Sequence, residues 1–124
     1  MTTELFFVAG SFVMGVAQVV EARILLRQGG ALLGSVAWLS GAEFLWTLFG
    51  LYLLVTGRLE SARWLGIMFL AYIPVAIVVG MVADPRLIKD PPPPEALRVP
   101  RAGIYLGGFF GVSYAIAALA FLAR

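Results

Sequence analysis

Four apolar runs of near-bilayer length, joined by three connections, constrain this chain more than any other feature. A helix needs about 20 consecutive apolar residues to cross a bilayer. Runs of that order occupy about residues 5–26, 32–55, 62–83 and 102–123. With 61% hydrophobic residues and a mean hydropathy of +0.96, the chain lies far outside the composition of soluble domains. The expected fold is all-α: a polytopic membrane protein of four transmembrane helices, packed as an up-down bundle in a single membrane domain spanning 1–124.

The composition removes several classes of chemistry. There is no cysteine and no histidine among the 124 residues. Thiol redox chemistry, thiolate metal sites, imidazole ligands and histidine-based triads are therefore ruled out. No metal or cofactor is expected. A net charge of +2 is too small to point to nucleic acid, and the basic residues cluster at the ends of the apolar runs. The expected partners are the lipid bilayer and either other membrane polypeptides or copies of the same chain. The start, Met1-Thr2-Thr3-Glu4, lacks a basic segment and a small-residue cleavage site, so the first run is expected to remain as a helix.

Taken in order, the first run offers Thr2 or Thr3 as a cap and Glu4 for the positive end of the helix dipole. Ser11, Gly15, Gln18 and Ala22 share one stripe, a small and polar face suited to a close helix neighbour. Glu21 lies beside that stripe. The expected course of its side chain is outward, toward the interface near Arg23 and Arg27. The alternative is a second intramembrane acid. Gln28-Gly29-Gly30 forms a tight turn into the second run.

The second run carries Glu43 near its midpoint. A charge there costs roughly 2.5–3.5 kcal/mol, and each flanking Leu, Phe or Val returns about half a kcal/mol, so the segment still inserts. An intramembrane carboxyl group is a functional-site candidate by default, and it is expected to be neutral unless a cation or strong donors meet it. The competing reading is a neutral acid that only hydrogen-bonds a neighbouring helix as packing glue. Ser40, Glu43, Thr47 and Gly50 fall on one face, and Tyr52 suits an interfacial position.

Thr56 to Ser61 makes the second connection, with Ser61 as a cap for the third run and Trp64 at the aromatic belt. Pro74 sits inside the third run, where it should kink the helix and free the carbonyl of Leu70. The stretch from Asp84 to Pro100 is the long connection. Its Pro91-Pro92-Pro93-Pro94 forms a stiff polyproline spacer or a docking strap. In the fourth run Gly103, Gly107, Gly111 and Ala115 recur every four residues. This small-xxx-small face lets a helix backbone approach closely, either within the chain or between copies.

Lysine and arginine are distributed six against three. Arg23, Arg27, Arg86, Lys89, Arg98 and Arg101 lie on one side, and Arg58, Arg63 and Arg124 on the other. The positive-inside rule puts the first group in the cytoplasm and both termini on the non-cytoplasmic side of a plasma or inner membrane. At about 1.5 Å per residue, Glu43, Tyr72 and Ser113 then lie roughly 16–17 Å from that side, with Gln18 slightly shallower. Glu43, Tyr72, Gln18 and Glu21 are the candidates for binding a proton or a cation, with Glu43 expected to hydrogen-bond Tyr72 or Gln18.

Three functions fit. The first is a non-catalytic membrane subunit that packs through the glycine face of the fourth helix. The second is a small proton- or cation-coupled transporter or channel, a homo-oligomer because four thin helices enclose little. The third is a lipid-modifying enzyme, for which no catalytic constellation is visible.

Overall fold

The computed structural model describes residues 3–30, 35–59, 62–85, 89 and 98–123. These include four long helices: α1 (Thr3–Arg27), α2 (Ser35–Val55), α3 (Arg63–Ala83) and α4 (Arg101–Leu122). All four contain a span long and apolar enough to cross a membrane, and no β-strand occurs among the described residues. The all-α four-helix bundle expected from the apolar runs is the fold observed. Ser61, Thr2 and the run Pro91–Pro94 lie outside the described residues.

Each helix packs on two neighbours, in a ring α1–α2–α3–α4 that closes between α4 and α1. The closing contact is by far the closest, and its cause is legible in residue size. Gly15, Gln18 and Ser11 on α1 face Gly111, Gly107 and Tyr114 on α4, antiparallel. A Cβ added at Gly111 would sit 2.7 Å from the Gly15 carbonyl oxygen, and one added at Gly15 would sit 2.8 Å from that of Gly111. The two backbones approach until a hydrogen atom is all that fits between them, which lets dispersion act along the whole seam. Gly107, Gly111 and Ala115 are buried there. Gly103 is half-buried and faces Val99. The glycine face of the fourth helix is thus occupied within the chain.

Connections α1–α2 and α2–α3 both carry glycine at a left-handed position just past the helix end. Gly29 has φ +65° and Gly57 φ +71°. In each case the next residue donates its N–H to the carbonyl five residues back, Gly30 to Leu25 at 2.7 Å and Arg58 to Leu53 at 3.0 Å. This is the Schellman arrangement, which satisfies orphan carbonyls at a helix end. Gly30 is held again from outside, because its carbonyl accepts the N–H of Val99 at 2.8 Å. The segment entering α4 is thereby fastened to the α1–α2 turn. α3 runs as one helix through Pro74.

The interior divides along the membrane normal. At the end near the N-terminus, Phe7 stacks on Trp46 (5.1 Å between centroids), while Phe69, Phe110 and Tyr114 pack at 5.2–5.6 Å. Ser11 and Tyr114, both fully buried, share a hydrogen bond of 2.8 Å inside this cluster. A small second cluster of Leu25 and Ile104 closes the opposite end of the α1–α4 seam. Between the two clusters the packing opens.

Candidate functional site

The opening is a cavity of about 200 Å³ bounded by all four helices. Gln18 and Glu21 of α1, Ser40 of α2 and Tyr72 of α3 supply its polar wall. Leu25, Ala76, Val99 and Ile104 supply most of the apolar wall. From α4 come backbone-exposing glycines, Gly103 and Gly107, which leave room where a side chain would stand. The Tyr72 hydroxyl and the Gln18 carboxamide oxygen both lie against Gly107, at 3.0 and 3.6 Å from where a Cβ would be. Tyr72 is held there by stacking on Phe110 at 4.2 Å.

Glu21 departs from its expected course. It does not turn out toward Arg23 and Arg27. It is 9% exposed and faces inward, where the Ser40 hydroxyl donates to its Oε1 at 3.2 Å. Its Oε2 is buried without a hydrogen-bond partner, on a side chain that lines the cavity. The reason is angular. Gln18 and Glu21 are three residues apart, so they lie on one helix face, and that face is fixed inward by the Gly15–Gly111 approach.

Glu43 sits behind Glu21. Its carboxyl group lies beside Glu21 and Gln18, and its own Oε1 is buried with no hydrogen-bond partner. Gln18 is thus a neighbour of Glu43, and Tyr72 stands in the wall of the adjoining cavity. The pairing with Glu21 brings two acids from separate helices into one site.

Other residues placed at the polar level by depth take different roles. Thr47 donates to the backbone carbonyl of Glu43 at 2.9 Å, one turn back on its own helix, a local bond that keeps its hydroxyl out of the site. Gly50 lies under the Phe7 ring. Ser113 is half-buried and does not line the cavity, and Gly107 holds that place on α4. Gln18 and Tyr72 line the cavity and Glu43 lies behind it, whereas angle around the helix keeps Ser113 out. Tyr114, unmarked in the sequence, becomes the partner of Ser11. Its signal was the polar position four residues before Gly15 on α1, which needed an answer from across the seam.

Among the described residues no group of three or more His, Cys, Asp or Glu is placed to hold a metal ion. Comparison of the chain with family models, curated proteins and solved structures finds no match.

Proposed function

We propose that this small integral membrane protein binds a proton or a monovalent cation at the Glu21–Glu43 pair and carries it as a transporter or channel. The observation that supports the reading is Glu21: a buried carboxyl group on a side chain that lines a cavity within the spanning region. An intramembrane acid used only as packing glue would be expected to satisfy its oxygens on the neighbouring helix. Here both acids keep a buried oxygen unmatched. The aromatic cluster seals the other half of the bundle, so passage across the membrane requires a rearrangement or a second copy of the chain.

Proteoliposomes loaded with a pH-sensitive dye test this. The wild-type protein should dissipate an imposed proton or sodium gradient. Glu21→Gln and Glu43→Gln should each abolish that flux, and Gly41→Ala, at a position with nothing within 4 Å, should leave it unchanged. Equal flux through wild type and both glutamine variants would sink the proposal.

A second reading, a subunit of a larger membrane assembly, draws support from a different place. The spans of α2 and α3 are only 11% and 17% buried within the chain, against 39% and 33% for α1 and α4. Trp38 on α2 is 83% exposed. With the glycine face of α4 already covered, a partner finds the larger share of uncovered span on α2 and α3. Gentle extraction followed by native mass measurement separates the readings: a fixed ratio with other polypeptides favours the subunit, and a homo-oligomer favours the carrier.

A further inference from the structure

We infer that the cavity takes a small monoamine with an apolar body, its ammonium group on Glu21 and its body along Leu25, Ala76 and Ile104. The inference rests on the carrier reading and names the class of its cargo.

Charge comes first. Glu21 is the acid that lines the cavity, and Glu43 lies behind it. A carboxylate there matches a single positive charge, and an ammonium group brings N–H donors to a carboxyl group whose hydrogen bond from the protein comes from the Ser40 hydroxyl.

The shape of the wall then selects among cations. A divalent metal ion wants six or more oxygen ligands, and the site has two carboxyl groups, one of them second in line. A hydrated sodium ion would leave part of its water shell facing Leu25, Ala76, Val99 and Ile104, where a water lacks polar partners. The volume of about 200 Å³ exceeds the roughly 150 Å³ of a cavity that accepts benzene. It is smaller than the roughly 300 Å³ at which drug-sized pockets begin. A largely apolar wall with a few convergent polar groups is the general pattern of a small-molecule site. An amine with a body about the size of one ring satisfies both halves.

Benzylammonium is a suitable probe, with benzyl alcohol as its neutral counterpart and sodium as the bare cation. Calorimetric titration of the full chain in detergent reads the affinity. Benzylammonium should bind at least tenfold more tightly than benzyl alcohol. Glu21→Gln should weaken it at least a hundredfold. Gly80→Leu supplies an independent arm. Gly80 lines the cavity with nothing within 4 Å of its missing Cβ, so a leucine there has room to enter the body's space. That variant should lose at least tenfold in benzylammonium affinity while retaining the wild-type elution volume. Equal binding of amine and alcohol, unchanged binding in Gly80→Leu, or no amine binding at all would overturn the inference. If amine binding is absent but flux still depends on Glu21 and Glu43, the inference alone fails. If both are absent, the carrier reading fails with it.

Discussion

The approach of α1 to α4 can be tested by adding one methyl group. In Gly111→Ala the new Cβ falls 2.7 Å from both the Gly15 carbonyl oxygen and the Gln18 Cβ. Ordinary contact between such atoms is about 3.5–4.0 Å, so the helices must separate by about 1 Å. A gap of 0.5–1 Å forfeits a quarter to a half of each contact, and each contact is worth about 0.1–0.2 kcal/mol. Taken over some 40 atom pairs along the seam, the loss is about 2 kcal/mol, in line with the 1–3 kcal/mol typical of overpacking. Gly15→Ala should cost a similar amount, because its Cβ would meet the Ala115 backbone nitrogen at 2.7 Å. The double variant should cost clearly less than the sum, since one separation serves both methyl groups. Reversible unfolding in mixed micelles measures all three, with Gly41→Ala as a control expected within about 0.5 kcal/mol of wild type. A neutral Gly111→Ala, or strictly additive costs, would refute the close approach.

Three further outcomes follow from the same contacts. Tyr114→Phe leaves the fully buried Ser11 hydroxyl without its partner and should cost about 1 kcal/mol in the same unfolding assay. Gly30→Ala should cost about 1–2 kcal/mol: Gly30 has φ +88°, and its Cβ would come within 2.6 Å of the Val99 carbonyl oxygen. Faster amide exchange at Val99 should report the loosened fastening. Single cysteines near Met1 and Arg124 should both react with an impermeant thiol reagent added outside intact cells, while one at Lys89 should not. The opposite pattern would invert the topology drawn from the basic residues.

How much of this was legible in the sequence depends on which variable each residue answered to. The four spans were legible because length and hydropathy alone decide them. The contact face of α1 was legible because Ser11, Gly15, Gln18 and Ala22 repeat at helical spacing. Its partner face on α4 was legible for the same reason, although nothing in the spacing said that the two would meet each other. Glu21 was misjudged because proximity to Arg23 and Arg27 in sequence competes with the angle that places it beside Gln18. The angle wins once Gly15 is locked against Gly111. The pairing of Glu21 with Glu43 was out of reach. It depends on the register of α1 against α2, set by the Phe7–Trp46 stack and the length of the turn, and neither appears as a local pattern.

The cavity raises a sharper question, since a chain shaped for packing alone would fill it. Cavity volume in a core costs about 24 cal/mol per Å³. On that scale about 200 Å³ corresponds to at most about 5 kcal/mol of packing not made, an upper bound for a space that is partly open. One substitution would begin to fill it: α3 carries glycine at position 80, in its last turn, where leucine is the better helix former. Gly80→Leu meets nothing within 4 Å at its Cβ. It should therefore raise stability by about 1–2 kcal/mol, read as a higher unfolding midpoint in mixed micelles. A gain in stability together with a loss of amine binding would mean that Gly80 is kept at the expense of stability for what enters the cavity. A loss of stability would mean that the space near Gly80 is shaped by packing after all. In that case Glu21 and Glu43 would be better read as a proton pair between helices than as one end of a binding site.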